Sequence, residues 1–298
     1  MLRVTKYRKI FFLISGLLVA ASIVSLAVFR LNFGIDFVGG SILELNFKTS
    51  PSAQNLAESL AAAGYPNVVV QPGQNGNVII KTQSLTSQAD REKLFELIKA
   101  GYGEFEELRF DTIGPLIGKE LRSKAVWQIF LVTVGILFYI AYAFRKVGQA
   151  KTEKRVSAWR LGLAAIIALA HDLIIVLGVF SLLGRFGGVQ VDSLFVTSLL
   201  TVLGFSVHDT IVVFDRLREN MQKDLGLDFE EVVNFSINQT LTRSLNTSMT
   251  VILVLLALVL FGGTSTFFFS ISLLVGITVG TYSSIYIASA LLVAWRKN

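Results

Sequence analysis

Six long apolar windows divide the 298 residues, and no water-soluble fold has room for them. A helix needs about 20 consecutive apolar residues to cross the hydrocarbon core of a bilayer. Residues 10–29 and 125–144 carry no charge. Residues 161–183 are interrupted only by His171 and Asp172, and residues 194–214 only by His208 and Asp209. Residues 244–262 and 267–295 are again uncharged, the last window being long enough to tilt. Charged residues make up 16% of the chain, against about a quarter in a soluble domain. The first window is longer than a signal-peptide core and has no small-x-small cleavage site behind it, so it reads as an anchor.

Lysine and arginine then orient the spans, because short loops rich in them stay in the cytoplasm. Arg3, Lys6, Arg8 and Lys9 precede the first span. Arg145, Lys146, Lys151, Lys154, Arg155 and Arg160 lie between the second and third. Arg216, Arg218, Lys223 and Arg243 lie between the fourth and fifth, and Arg296 and Lys297 follow the sixth. The loop between the third and fourth spans has only Arg185, and that between the fifth and sixth has none. Both termini are therefore expected in the cytoplasm. The net charge of +6 is a topology signal, which removes nucleic-acid binding from consideration.

The organisation that follows is a cytoplasmic N-terminus and first span (1–29), an outer segment (30–123) and a five-helix bundle (124–298). Residues 30–122 hold 9 Lys/Arg and 11 Asp/Glu, slightly acidic where the inner loops are basic. Their pattern reads strand 41–47, helix 52–63, strands 68–71 and 78–82, helix 87–100 and strand 105–111. Asn75-Gly76 is a hairpin turn signal, and Ser50-Pro51 suits a helix N-cap followed by proline. The order βαββαβ predicts a small α+β ferredoxin-like sandwich, a fold that implies no activity by itself.

Several chemistries fall away. Without cysteine there are no disulfides, thiol nucleophiles or thiolate metal sites, and two histidines do not make a His-rich metal centre. Gly73-Gln74-Asn75-Gly76 lacks the Lys-Ser/Thr of a phosphate-binding loop, so direct ATP use is not expected. No cofactor is expected, and no catalytic residue is assigned.

A run of motifs carries a family resemblance. Residues 33–40 (Phe-Gly-Ile-Asp-Phe-Val-Gly-Gly) follow the first span, and residues 113–122 lead into the second. Ala170-His171-Asp172 lies in the third span, residues 209–220 end the fourth, residues 239–245 precede the fifth, and Phe261-Gly262-Gly263 follows it. Together they resemble the SecD/SecF family of bacterial protein-export subunits, and within it the SecF members, part of the RND transporter superfamily. The motifs extend over nearly the whole chain in the expected order. Where that pattern leads to Asn before the fourth-span Asp, this chain has His208, a titratable neighbour.

The resemblance implies six helices forming half of a twelve-span RND unit in the bacterial cytoplasmic membrane. It implies work with SecD, the SecYEG channel and YajC, using the proton motive force to promote polypeptide export. Two rivals are an RND exporter of small molecules or lipids, for which this outer segment is small, and a non-transporting assembly factor.

The residues point to where coupling would reside. An Asp at a helix centre costs about 2.5–3.5 kcal/mol on insertion scales, and Asp172 and Asp209 both sit inside apolar spans. A carboxyl group placed in turn against a cation and an apolar wall can load and release a proton. Asp209 lies roughly 7–8 Å above the inner end of its span at 1.5 Å per residue, within reach of Arg243 at the inner end of the fifth. The family match also points to Arg243. His171 beside Asp172 is either part of the same proton path or a lock between helices. Consecutive residues project about 100° apart, so the two do not face a common partner. Asp36, Gly39 and Gly40 read as a hinge into the outer segment or as a plain chain reversal. Residues 229–242 are expected as an interfacial helix. Gly276 and Gly280, with Gly178 and Gly204, are expected to let helices approach closely.

Overall fold

The computed structural model describes residues 3–66, 68–73, 77–145, 157–223 and 226–296. The Asn75-Gly76 turn, the basic residues Lys146, Lys151, Lys154 and Arg155, and Lys297 lie outside them. The chain divides into two compact units, one of Phe33–Val126 with Gln190–Ser193, the other of Met1–Asn32, Trp127–Val189 and Leu194–Asn298.

Six helices are long and apolar enough to span a membrane, as the sequence predicts. They are α1 (Arg8–Phe29), α5 (Pro115–Ala143), α6 (Ala158–Gly187), α7 (Ser193–Gln222), α8 (Phe229–Phe261), and α9 (Thr264–Ser283) continuing through a π-turn at Ser284–Ala288 into α10 (Ser289–Arg296). The second helix starts at Pro115, ahead of its apolar window, because proline is preorganised for a first helical position that needs no N–H partner. The separate interfacial helix expected over 229–242 is not found. A capping box from Asp228 and Glu231 starts α8 at Phe229, and no Gly or Pro interrupts it before Gly262, so it is one helix.

Burial ranks the spans. Of the apolar windows in α6, α7 and the sixth span, 56%, 56% and 61% are buried, against 17%, 11% and 17% in the first span, α5 and α8. The third, fourth and sixth spans are therefore the centre of the membrane unit. The others turn residues such as Leu13, Leu17, Phe130 and Leu253 outward, as a lipid-facing surface requires.

The unit of Phe33–Val126, called the outer unit after the side on which the charge pattern expects it, has strands β1 (Gly40–Phe47), β2 (Val69–Pro72), β3 (Asn77–Thr82) and β4 (Phe105–Ile113), in the order β2-β3-β1-β4 and antiparallel throughout. A four-residue turn α2 (Ile35–Val38) precedes β1, and α3 (Ala53–Ala62) and α4 (Gln88–Tyr102) complete the βαββαβ order. Alternation puts Leu43, Leu45 and Phe47 on one face of β1, where they meet Ile80, Leu56, Leu60, Leu94 and Ile98. Ser87 caps α4 by accepting the Asp90 amide at 3.1 Å. At α3 the expected Ser50-Pro51 cap is displaced by two residues, the N-cap being Ser52 and the helix beginning at Ala53.

Candidate functional site

Inside the membrane unit, α7 and the sixth span lie parallel in a register that recurs every four residues. Ser272 donates to Ser198, a β-carbon on Gly276 would collide with Val202, one on Gly280 would come within 3.0 Å of Ser206, and Thr210 and Ser284 share a hydrogen bond at 2.8 Å. Residues i and i+4 share a helix face, so one seam of small side chains brings the two backbones together. The predicted Gly276 and Gly280 are its middle. Gly178 plays the same part elsewhere, its position closed by Ser22 of α1, whereas nothing lies within 4 Å of a β-carbon on Gly204.

Asp172 joins this seam from α6. It is fully buried, and its Oδ2 accepts from Ser206 at 2.7 Å and from Ser283 at 2.8 Å, one hydroxyl from each side of the seam. Its Oδ1 lies 2.9 Å from His171 Nδ1. The neighbours thus bond to each other. His171 is buried, with Nε2 lacking a partner among the described residues, and its ring lies 6.3 Å from that of Tyr282. Tyr282 in turn accepts from Ser15 of α1 at 3.2 Å.

Asp209 is held differently. It is 2% exposed, and Ser248 of α8 donates to it over a long 3.3 Å. Ser248 shares a second bond, 2.6 Å, with Thr281. The Ser244 and Thr281 hydroxyls are buried beside the same carboxylate. His208, the preceding residue of α7, is exposed.

The predicted Asp209–Arg243 pair is not brought together. Ser244 and Ser248 face inward, and Arg243, one residue before Ser244, turns to the exposed side of α8 with no ion pair among the described residues. At the inner end of α7, Asp215–Arg218 and Arg216–Glu219 form ion pairs at 2.7 and 2.6 Å.

In the outer unit, Gly39 and Gly40 have φ of 81° and 146°, conformations that favour glycine. Added β-carbons would crowd Pro115 at Gly39, and Thr82 with Ile35 at Gly40. Asp36 Oδ2 accepts both the amide (2.7 Å) and the hydroxyl of Ser193, the first residue of α7.

Sequence reasoning missed Ser206, Ser248 and Thr281, hydroxyls around the two carboxylates. The signal for Ser206 lay in the positions that meet every four residues along both partner helices, readable only once the helices are known to be neighbours.

Comparison with known proteins agrees over the whole chain. A family described as "Protein export membrane protein SecD/SecF, C-terminal" matches residues 93–298, and the "SecD/SecF GG Motif" matches residues 24–51, around Gly39 and Gly40. The protein translocase subunit SecF of Thermobaculum terrenum is 44% identical, covering 100% of this chain and 95% of that protein. SecDF of Bacillus subtilis is 34% identical and covers 98% of this chain but only 38% of that protein. The crystal structure of SecDF from Thermus thermophilus is similar with a TM-score of 0.85 at 35% identity, over 99% of this chain and 38% of that one.

Proposed function

The chain belongs to the SecD/SecF protein-export membrane family, and from that premise we propose that it is a multi-pass translocase subunit coupling proton movement to polypeptide export across the bacterial cytoplasmic membrane. The observation that carries the coupling is Asp209, a carboxyl group buried inside the bundle among neutral hydroxyls, Ser248 at a long 3.3 Å, with no ion pair among the described residues. A group so loosely held changes partner at small cost. Arg243 lies on α8 five residues before Ser248, turned to the exposed side and with no ion pair among the described residues, so the arrangement is one end of a cycle whose other end joins the two. Asp172 and His171 form a second node across the seam. Moving one charge through 100 mV is worth about 2.3 kcal/mol, which shifts a two-state equilibrium about fiftyfold. The role is mechanical, without covalent catalysis.

Two relatives carry the counterpart of this chain within a longer SecDF protein, which supports SecD as the partner completing a twelve-span unit. The SecYEG channel and YajC are proposed as further partners on the family resemblance. Basic residues at the ends of the first, fourth and sixth spans support cytoplasmic termini.

The test compares wild type with Asp209→Asn and Arg243→Ala, measuring secretion and proton flux in membrane vesicles that hold the native partners. Each substitution is expected to lower both by about tenfold or more, a loss typical of removing one proton-transfer group. Unchanged rates in both assays would reject the coupling and leave a passive assembly role.

A further inference from the structure

His171 and Asp172 of α6 form a pair whose polar atoms can be accounted for one by one. The carboxylate is fully buried, with Oδ2 accepting from Ser206 of α7 at 2.7 Å and from Ser283 of the sixth span at 2.8 Å. A β-carbon on Gly280 would lie 3.5 Å from the same oxygen, so the helices close over that side. Oδ1 meets His171 Nδ1 at 2.9 Å. An ionised carboxylate only accepts, so Nδ1 is the ring nitrogen that carries hydrogen, and in a neutral imidazole the other nitrogen then keeps its lone pair. That nitrogen, Nε2, is buried and is the one side-chain polar atom of the pair without a partner among the described residues.

The neighbouring groups do not supply a donor to it. The Tyr282 ring of the sixth span lies 6.3 Å from the imidazole, but its hydroxyl donates to the Phe11 carbonyl at 3.3 Å and accepts from Ser15 at 3.2 Å. Among the described residues His171 forms its ion pair with Asp172 alone. The titratable groups that meet the ring are thus Asp172 from its own helix and Tyr282, with α1 and α7 reaching those two through the Ser15 and Ser206 hydroxyls.

We propose that His171 Nε2 is a proton-binding position of the membrane unit, loaded and unloaded through water, with Asp172 the fixed counter-charge that orients the ring. The proposal deepens the function above and rests on it, giving the mobile proton of this second node to His171 and the stationary charge to Asp172. On loading, a proton from hydronium joins the Nε2 lone pair, an N–H bond forms and water is released; unloading is the reverse. Nδ1 keeps its hydrogen throughout, so the pair passes from one net negative charge to none without losing its 2.9 Å bond. Imidazole is the side chain whose ordinary titration lies between about pH 5 and 8, the range in which such a step is useful.

The chain has two histidines, so His208→Gln leaves one imidazole to observe. With nitrogen-15 in the ring and the full chain in lipid nanodiscs, NMR is expected to show Nδ1 protonated throughout while Nε2 passes from bare to protonated between about pH 8 and 5. An Nε2 that stays in one state across that range, or a neutral ring protonated on Nε2 instead of Nδ1, would overturn the proposal. The second arm is His171→Asn in vesicles with the native partners, since Asn keeps an N–H donor for Asp172 but nothing that takes up a proton. Proton flux is expected to fall about tenfold or more, and wild-type flux would overturn the proposal, because a histidine that only locks helices is replaced by Asn without that loss. If the variant fails to assemble, the nitrogen-15 titration of the unaltered ring decides. Asp209→Asn, run alongside, reports on the coupling itself: unchanged flux there would sink the coupling reading, while the titration still shows whether Nε2 binds a proton.

Discussion

Leu43, Leu45, Leu56, Ile80, Leu94 and Ile98 meet in the outer unit with no charged side chain among them, whereas the centre of the membrane unit buries Asp172, Asp209 and a series of serine and threonine hydroxyls just as deeply. The contrast follows from what surrounds each unit. In water, closing an apolar core is itself the driving force. Between helices in lipid it is not, because acyl chains are as apolar as leucine, and small residues in close contact with hydrogen bonds between them take its place. An interior held that way can also shelter a carboxylate. The outer interior cannot.

Four measurements bear on this contrast. The largest effect is expected from Leu45→Ala in the outer core, about 2–5 kcal/mol, read by hydrogen exchange in the full chain as faster opening of β1 and β3 with little change in α6 and α7. Equal loosening of both units would mean that they do not hold themselves separately. Next comes Gly276→Ala, whose methyl group meets Val202; overpacking should destabilise the detergent-solubilised protein by up to about 3 kcal/mol, with Val202→Ala recovering part. Gly204→Ala, with open space around it, should cost nothing or stabilise slightly.

Smaller again is the difference between the two carboxylates. Removing both donors to Asp172 by Ser206→Ala and Ser283→Ala should cost about 1–2 kcal/mol, and removing the long bond to Asp209 by Ser248→Ala less than about 1 kcal/mol, both by thermal unfolding. Equal costs would erase the distinction between a fixed and a loosely held acid.

The smallest effect concerns pH. Burial holds the Lys81 ammonium below the ordinary lysine value of 10.5, with Asp192 nearby opposing the shift. Below 10.5 the unfolded chain then binds that proton more readily than the folded one, so outer-unit stability should rise with pH as Lys81 loses its proton and stop rising above 10.5. Lys81→Met should flatten that rise in a denaturation series.

Much of this architecture was legible in the amino-acid order. Period-two alternation in β1 and turn residues between elements set out βαββαβ, and uncharged windows set out the spans, because each signal is local. The start of α8 escaped because Phe229–Thr242 is polar enough to resemble a surface helix, while the capping box at Asp228 marks only one beginning for both parts. Of the site, Asp172, His171 and Asp209 stood out as polar residues in apolar windows. Their serine and threonine partners did not, since hydroxyls are unremarkable in membrane helices and gain meaning only through the 74-residue offset between Thr210 and Ser284, which no local pattern contains. Asp36 and Ser193, 157 residues apart, were invisible as a pair for the same reason.

The π-turn at Ser284–Ala288 has a consequence for the sixth span as a whole. A widened turn accommodates one residue more than an α-helical turn of the same rise, and the Ser289 side-chain hydroxyl donates to the Ser284 carbonyl across it at 3.4 Å. Everything beyond that point is rephased by about 100° relative to an uninterrupted helix. The stripe that meets α7 through Ser272, Gly276 and Gly280 and the stripe that carries Leu292 and Val293 into the inner core are therefore written in two independent frames, joined by a single spare residue that lets each half keep its own neighbours.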